Sequence, residues 1–309
     1  MAVIPVAVVQ AHVAASLAEG LAVTRALTTQ AAAEGAALIV FPETWLPGYP
    51  AWLDVCRDVA LWDHAPTKAV FAHYRAESVD VSGESGAALG QMSLDHQVTL
   101  VVGVSERVTA GPGAGTLYNS LLTYGPDGRL LNHHRKLMPT HTERMVWGQG
   151  DGDGLKVADT PVGRVGGLVC WEHWMPLARQ ALHTCGEDVH VAVWPTVLER
   201  HQLASRHYAF EGRCFVLAAG SLMRAGALPA ELERDAERAG SADTLVLRGG
   251  SAIIGPDGNF IVAPVFDEPA ILHASLDTAQ LDAERMTLDV AGHYSRPDIL
   301  SLHVTRGTR

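Results

Sequence analysis

The chain contains the stretch Arg164-Val-Gly-Gly-Leu-Val-Cys170-Trp-Glu-His-Trp-Met-Pro176, in which an apolar run stops at a cysteine. This pattern predicts a buried strand that is followed at once by the start of a helix. The first turn of a helix offers unpaired backbone N–H groups and the positive end of the helix dipole, which favour a thiolate over a thiol. We therefore expect Cys170 to be presented as a nucleophile. Gly166 and Gly167 indicate either a close approach of another segment or a tight turn.

Two more reactive residues follow apolar runs in the same way. Glu43 comes after Leu38-Ile-Val-Phe-Pro42, and Lys136 comes after Leu130-Leu-Asn-His-His-Arg135. Each has an ordinary explanation when taken alone, because a cysteine is often a small buried hydrophobe, a carboxylate often begins the next segment and a lysine is usually solvated. Catalytic groups of α/β proteins gather at the carboxyl ends of strands, however. The shared placement of the three residues therefore favours a site for covalent catalysis.

Apolar, β-forming runs alternate along the chain with longer segments of helical periodicity, and this alternation predicts an α/β fold. We predict strands at residues 3–9, 37–42, 98–104, 117–124, 129–134, 163–170, 189–194, 214–219, 251–254 and 259–265. We predict helices at residues 15–34, 84–97, 174–186 and 199–213. The turns Gly125-Pro-Asp-Gly128 and Gly255-Pro-Asp-Gly258 each predict a hairpin with a type I turn. The polar segment 222–243 is interpreted as a surface helix or a mobile insertion.

The bulk composition restricts the classes of function. The 309 residues are 48% hydrophobic, which is enough for a large core, and no linker separates two composition regimes. A net charge of −11 and an isoelectric point near 5.7 argue against a nucleic-acid-binding protein. No apolar stretch approaches the roughly 18 residues that span a membrane, and the N-terminal run predicts a first strand instead of a signal peptide. No nucleic-acid or membrane partner is therefore expected.

The cysteines and histidines lack the spacing of a metal site. The four cysteines, at positions 56, 170, 185 and 214, are widely separated and contain no CxxC pair, which fits a reducing cytoplasm. The 15 histidines show no metal-binding pattern, and His133 and His134 face opposite sides of a predicted strand. The sequence also contains no GxGxxG motif or P-loop. We expect no metal and no cofactor.

Longer motifs around the three reactive residues resemble those of the nitrilases. The glutamate lies in Phe41-Pro-Glu-Thr-Trp-Leu-Pro-Gly-Tyr-Pro50, the lysine in Asn132-His-His-Arg-Lys-Leu-Met-Pro-Thr-His-Thr-Glu-Arg144, and the cysteine in Cys170-Trp-Glu-His-Trp-Met-Pro176. Further matches are Tyr118-Asn-Ser-Leu-Leu, Arg206-His-Tyr-Ala-Phe-Glu-Gly-Arg213 and Gly292-His-Tyr-Ser-Arg-Pro-Asp298. The matches follow in order along nearly the whole chain, which therefore resembles the nitrilase branch of the carbon–nitrogen hydrolase superfamily.

The resemblance implies a four-layer α-β-β-α sandwich in one domain over residues 1–309, with a short tail after about residue 298. It implies that Glu43 is the general base, that Lys136 stabilises charged intermediates and that Cys170 is the nucleophile. It also assigns a supporting role to Glu143, for which an ion pair with Arg144 is the alternative explanation.

Two residues near these motifs are candidates for lining the substrate site. Trp171 follows the nucleophile, and His141 lies in the loop after the lysine. Simple packing is the alternative explanation for each of them.

The resemblance implies hydrolysis of an organic nitrile to a carboxylic acid and ammonia, through a thioimidate and then a thioester on Cys170. An amidase or carbamoylase of the same superfamily is the first alternative, although Trp171-Glu-His173 resembles the nitrilase form of the cysteine motif. A cyanide-hydrolysing enzyme shares much of the pattern. A non-catalytic interaction protein on the same fold is the remote alternative, and the intact set of three reactive residues argues against it.

The resemblance also implies self-association. Members of the superfamily form dimers that often extend into spirals. Because the chain resembles them, we expect a homodimer or a higher homo-oligomer. The chain ends eleven residues after Asp298, which argues against a filament supported by a long C-terminal tail. We expect a cytoplasmic enzyme whose partner is a small nitrile.

Overall fold

The computed structural model describes residues 3–307 of the chain. Strand β1 (Val3–Gln10) shows how the apolar runs are used. Its residues Val6 and Val8 lie in the core between two sheets, whereas Ala7 and Val9 lie in a second core under helices. Because successive side chains of a strand point to opposite faces, a run that is apolar at every position is buried on both sides. Such runs build a layered molecule.

The remaining strands follow in chain order: β2 (Leu38–Val40), β3 (Thr99–Arg107), β4 (Leu117–Tyr124), β5 (Leu130–Arg135), β6 (Ala158–Thr160), β7 (Gly163–Val169), β8 (Val189–Val193), β9 (Phe215–Ala219), β10 (Leu222–Arg224), β11 (Leu245–Ile254), β12 (Phe260–Phe266) and β13 (Ala270–Asp277). They form two mixed sheets. The first has the order β13-β1-β2-β3-β4-β5, and the second has the order β10-β11-β9-β8-β7-β6, with β12 also paired to β11.

Strand direction decides which side chains meet. In the first sheet, β2 is parallel to β3, and β5 reaches the same direction through two antiparallel pairings with β4. In the second sheet, β7, β8 and β9 are parallel. The residues that follow β2 and β5 therefore emerge at the same edge of the first sheet.

Helices cover the outer face of each sheet. In chain order the α-helices of residues 3–307 are α1 (Leu17–Ala33), α2 (Trp52–Val55), α3 (Ala65–Ala76), α4 (Glu84–His96), α5 (Pro176–His183), α6 (Glu199–Gly212), α7 (Ala236–Ala239) and α8 (Ala279–Arg285). The buried residues of α2, α3 and α7 belong to a separate, third core. Ala31 of α1 and Leu89 of α4 pack on the first sheet, and Leu182 of α5 and Ala204 of α6 pack on the second. The predicted four-layer α-β-β-α sandwich is confirmed.

Both predicted hairpins are confirmed, one in each sheet. Gly128 N–H donates to the Gly125 carbonyl at 2.9 Å between β4 and β5, and Gly258 repeats this bond to Gly255 between β11 and β12. These i to i+3 bonds are those of the expected turns. The aspartate of each turn caps the loop as well, because Asp127 Oδ1 accepts from Arg129 N–H.

The interpretation of segment 222–243 as a surface helix or mobile insertion is wrong. Its first three residues form β10, paired with β11, and its helical parts are a 3₁₀ turn at Ala225–Ala227 and the short α-helix Ala236–Ala239. Met223, Leu228 and Leu232 are buried in a third core beside α2 and α3. The polar composition hid these apolar positions, which are spaced too irregularly to show a period. Within residues 3–307, no helix is long and apolar enough to cross a membrane.

Candidate active site

Three buried reactive side chains meet where strands from both sheets end. Glu43 lies three residues after β2, Lys136 directly follows β5, and Cys170 directly follows β7. Their exposed fractions are 0%, 1% and 3%, respectively. One oxygen of Glu43, one oxygen of Glu143 and the sulfur of Cys170 all lie within 4.8 Å of one another. The expected convergence of these groups is present in the structure.

A close backbone approach sets the position of Glu43. The segment after β2 crosses β3 at Gly103, where a Cβ atom would lie 2.2 Å from the Pro42 carbonyl oxygen. Only glycine leaves room for this crossing. Phe41 N–H still donates to the Val101 carbonyl at 2.8 Å, so the segment remains tied to the sheet until just before Glu43.

Lys136 lies between two carboxylates. Its Nζ donates to Glu143 Oε2 at 2.6 Å and to Glu43 Oε1 at 3.2 Å. Glu143 is held by three further contacts, because Thr140 N–H donates to Oε2 at 2.8 Å and Tyr49 Oη donates to Oε1 at 3.0 Å, while Glu143 N–H donates to the Thr140 carbonyl. The alternative ion pair of Glu143 with Arg144 is wrong, since Arg144 donates instead to the Pro139 carbonyl.

Burial controls the proton affinities of these groups. Burial and the neighbouring Glu143 raise the pKa of Glu43 to about 7, against the lowering effect of Lys136 and Asn119. Burial alone would lower the pKa of Lys136, but Glu43, Cys170 and Glu143 raise it above its usual value. Lys136 is therefore a permanent cation, whereas Glu43 can gain and lose a proton near neutral pH.

Burial also acts on the thiol of Cys170, the predicted nucleophile. Burial and the Glu43 carboxylate raise the pKa of this thiol well above its usual value, and these effects outweigh Lys136 and a hydrogen bond from the Trp171 backbone N–H. The turn that follows is only a short 3₁₀ helix, Cys170–Trp174, so it supplies little dipole. The thiol therefore needs a base at the moment of attack, and Glu43 Oε2 has no hydrogen-bond partner among the described residues.

Glu172 ties the nucleophile to the lysine loop. Its Oε2 accepts from Val169 N–H at 2.7 Å, and its Oε1 accepts from Leu137 N–H at 2.8 Å. His134 Nε2 donates to the same carboxylate at 2.9 Å. His133 lies on the opposite face of β5 and contacts Glu106, as its neighbouring position predicts. One buried carboxylate thus links the end of β5 to the end of β7, and so the two sheets.

Sequence reasoning missed two residues of the site. Asn119 on β4 donates from Nδ2 to Glu43 Oε1 at 2.6 Å, and Tyr49 is the partner of Glu143. Asn119 is 1% exposed in a strand that is otherwise mostly apolar. A polar residue inside a fully buried run was the available signal, because such a side chain requires a hydrogen-bond partner.

The two predicted pocket residues lie at the border of the site. Trp171 is 43% exposed, and His141 begins the exposed side of the turn that carries Glu143. Among residues 3–307, neither side chain forms a hydrogen bond to Glu43, Lys136 or Cys170. Their contact with a substrate stays a prediction.

The cluster of Glu43, Glu143 and Cys170 has the donor atoms of a metal site. The ammonium of Lys136 forms ion pairs with both carboxylates of this cluster. A metal ion would have to displace this buried cation from two charged partners. The chemistry of the cluster is therefore that of a thiol beside a base and a fixed positive charge.

Comparison with known proteins identifies the arrangement. The carbon–nitrogen hydrolase family model matches residues 5–286. A nitrilase 2 from an unknown prokaryotic organism is 40% identical over 287 residues, which cover 92% of this chain and 87% of that protein. A bifunctional nitrilase/nitrile hydratase of Lupinus angustifolius is 38% identical over 282 residues, covering 90% and 79%. The solved carbon–nitrogen hydrolase of Helicobacter pylori G27 has a TM-score of 0.70 at 20% identity, covering 93% of both chains.

Proposed function

Because the chain belongs to the carbon–nitrogen hydrolase family, we propose that Glu43, Lys136 and Cys170 carry out the hydrolysis for which its relatives are named. The protein is a nitrilase, a hydrolase that acts on carbon–nitrogen bonds other than peptide bonds. One observation carries the assignment of residues: a buried ammonium bonded to two carboxylates, at 2.6 and 3.2 Å, beside a buried thiol.

The first half of the reaction forms a covalent intermediate. Glu43 removes the proton of Cys170 as the sulfur attacks the nitrile carbon, and the nitrogen takes up a proton to give a thioimidate. Water then adds to the carbon with Glu43 as base. The nitrogen leaves as ammonia after a further protonation, and a thioester remains on Cys170. A base whose pKa is about 7 suits both proton removal and proton return at neutral pH.

The second half regenerates the thiol. Another water, deprotonated by Glu43, attacks the thioester, and the carboxylic acid leaves as the sulfur recovers its proton. The sum is one nitrile and two waters to one acid and one ammonia. Lys136 and the Trp171 backbone N–H stabilise the negative charge that develops in these steps, and burial makes their effect larger than in water. Glu143 holds the Lys136 ammonium in place, and Asn119 holds the Glu43 carboxylate.

The product ratio needs its own measurement. The tetrahedral intermediate after the first water can expel either ammonia, which leads to the acid, or the Cys170 thiol, which releases an amide. The lupin relative is named for both nitrilase and nitrile hydratase activity. We propose the acid as the main product here, because Glu43, whose pKa is about 7, can return a proton to the departing nitrogen.

A substrate panel tests the proposal. Purified protein is incubated with aliphatic, aromatic and arylacetonitriles, with the matching amides and with cyanide, and ammonia, acid and amide are measured. Acid and ammonia formed in equal amounts from at least one nitrile are expected. Release of ammonia from amides alone would move the protein to the amidase alternative, and activity on cyanide alone would favour the cyanide-hydrolysing alternative.

We also propose that one domain forms a homodimer or a higher homo-oligomer. The core between the sheets takes residues from both of them, and Leu177, Leu203 and Phe210 expose 69%, 62% and 48% of their area on α5 and α6. Apolar exposure on neighbouring helices supports self-association. Its test is the mass in solution of wild type and Leu203→Glu.

The cysteines at positions 56, 170, 185 and 214 are free, which supports a reducing cytoplasm.

A further inference from the structure

A row of buried histidines leads away from the nucleophile into the second sheet. His173 Nδ1 lies 2.6 Å from the carbonyl oxygen of Cys170. The other ring nitrogen of His173, Nε2, lies 3.0 Å from His190 Nε2, and His190 Nδ1 lies 2.8 Å from Glu187 Oε1. The three residues, named here the histidine chain, are 1%, 0% and 3% exposed. The reaction scheme above uses none of them.

When both imidazoles are neutral, the contacts fix the direction of every hydrogen bond in the histidine chain. A carbonyl oxygen only accepts, so His173 Nδ1 carries a hydrogen and donates it to Cys170. A neutral His173 then accepts at Nε2, so His190 Nε2 is the donor. A neutral His190 accepts in turn at Nδ1, which requires the proton to lie on Glu187 Oε1. With the carboxyl group of Glu187 protonated and both imidazoles neutral, the histidine chain has no net charge.

We propose that the histidine chain is a neutral, one-directional series of hydrogen bonds that holds the backbone of Cys170 and so positions its thiol. His173 acts directly, and His190 and Glu187 act through its tautomer. Cys170 has φ +56°, a left-handed conformation that a cysteine seldom adopts without support. The hydrogen bond from His173 holds the carbonyl group of this residue. The inference rests on the proposed role of Cys170 as nucleophile.

The surroundings are built to hold the histidine chain. At Gly166 of β7, the strand that leads to Cys170, a Cβ atom would lie 1.8 Å from Glu187 Oε1. The absence of a side chain at Gly166 therefore makes room for the carboxyl group of Glu187. Tyr208 Oη donates to Glu187 Oε2. The rings of Trp194 and His173 stack with their centres 4.7 Å apart. The close approach that Gly166 indicated in the sequence is thus the approach of Glu187, whereas Gly167 makes room for Leu121.

The charged neighbours of the histidine chain are paired with one another. The groups that face it are Tyr208 and Glu211 of α6, Arg179 and His183 of α5, His134 of β5, Glu172 after Cys170, and Arg285 of α8, which donates to the Glu187 backbone carbonyl. Arg179 donates to Glu211 at 2.6 Å, and His134 lies 2.9 Å from Glu172. Burial raises the pKa of Glu187 to about 7, lowers the pKa of His173 to about 3 and lowers the pKa of His190, so at each of the three groups burial favours the neutral form.

Two amide substitutions of His173 separate its two contacts. In His173→Asn the side-chain nitrogen takes the place of Nδ1 and can still donate to the Cys170 carbonyl. In His173→Gln the amide reaches the place of Nε2, so the contact with His190 is kept and the contact with Cys170 is lost. We expect kcat of His173→Asn within about threefold of wild type and kcat of His173→Gln lower by about tenfold or more, with KM little changed.

The rate of Cys170 alkylation by iodoacetamide, followed by peptide mass spectrometry, gives a readout that does not require a nitrile. We expect the same ranking of variants as for kcat. This readout separates the inference from the proposed function, because a wild type that hydrolyses no nitrile would refute the function while the alkylation ranking still tests the positioning. Equal kcat and equal alkylation rates for both amide variants, whatever their melting temperatures, would overturn the inference.

Glu187 tests the direction of the histidine chain. Glu187→Gln offers an N–H donor to His190 Nδ1 and an oxygen acceptor to Tyr208, as the protonated acid does, whereas Glu187→Ala offers neither. We expect Glu187→Gln to keep kcat within about threefold and to keep the pH profile, and Glu187→Ala to lose about tenfold. Infrared spectra of the wild type should contain the carbonyl stretch of a buried protonated acid that Glu187→Gln lacks. Equal loss of kcat in the two folded variants, or no such band, would overturn the assignment.

Discussion

The two sides of Cys170 are equally buried but solve the problem of burial in opposite ways. Toward the first sheet, the Lys136 ammonium stays charged because it is paired with Glu143 at 2.6 Å and with Glu43 at 3.2 Å. Toward the second sheet, His173, His190 and Glu187 have no such cation among them and form a neutral series. A buried group ionises only where a partner compensates its lost hydration. The charged side therefore performs chemistry, and the neutral side holds geometry.

The largest expected effect on turnover comes from substitution of Cys170, which lies between the charged side and the neutral side. Cys170→Ala removes the atom that both sides serve, so turnover should fall by a factor on the order of 10⁴ or more, because the covalent route is lost. Ammonia release by Cys170→Ala is compared with that of Cys185→Ala, a free cysteine outside the cluster. Mass spectrometry of wild type quenched during turnover should show an acyl group on Cys170. Robust activity of Cys170→Ala would refute the assignment of the nucleophile.

Removal of charge from the charged side should have the next largest effect. Glu43→Gln and Lys136→Met should each lower kcat/KM by at least about 10²-fold, the scale of one acid–base or oxyanion group. Lys136→Met also leaves two buried carboxylates without their cation, so its melting temperature should fall. The control is Lys156→Met, whose side chain is exposed. Either site variant within a few-fold of wild type would show that the charge there has another purpose.

The choice of bond should give a smaller difference. For one side chain, we expect the nitrile to be hydrolysed at least about tenfold faster than the free amide, because a linear cyano group and a planar amide need different hydrogen-bond partners. Acid should appear without released amide as an obligatory intermediate, since the thioimidate stays on Cys170. The measurement is kcat/KM for matched nitrile and amide pairs. Faster amide hydrolysis across the panel would leave the residues in place and change the substrate class.

The smallest expected effect sharpens the role of hydrogen bonding on the charged side. Wild-type kcat/KM should rise with pH through about 7, because Glu43 must lose its proton to act as base. Asn119→Ala removes a donor that lowers the pKa of Glu43, so the acidic limb should move to higher pH. Activity should fall more at pH 6 than at pH 9, with Asn259→Ala, on the surface, as control. A shift of the limb toward lower pH would contradict the proposed hydrogen bond.

Sequence reasoning located the charged side better than the neutral side. Glu43, Lys136 and Cys170 each follow an apolar run, and strand ends are visible in a sequence. One of the two partners of Lys136, Glu43, lies 93 residues away, however, and its distance depends on strand order, which hydrophobic periodicity does not contain. Asn119 lies in a motif that was recognised, but its contact with Glu43 was not predicted, for the same reason. The raised pKa of Cys170 also escaped prediction, because burial of a turn between two sheets is a tertiary property.

The fold shows the same limit. The hairpin β4–β5 and helix α4 were predicted almost to the residue, since turn chemistry and helical periodicity are local. Strand β13 and helix α3 were missed. β13 is only partly buried, and its residues do not alternate strictly between apolar and polar. Its place beside β1 is decided by long-range pairing, which no local pattern reveals.

The pairing of β1 with β13 has a consequence for biosynthesis. Val3 lies opposite Asp277, so β1 acquires this neighbour only after the residues up to Asp277 have been made. At roughly 5–20 residues per second, β1 waits between about ten seconds and a minute with one edge open. An exposed strand edge invites pairing with other chains during that interval. Nascent-chain aggregation should therefore depend on the speed of translation between β1 and β13.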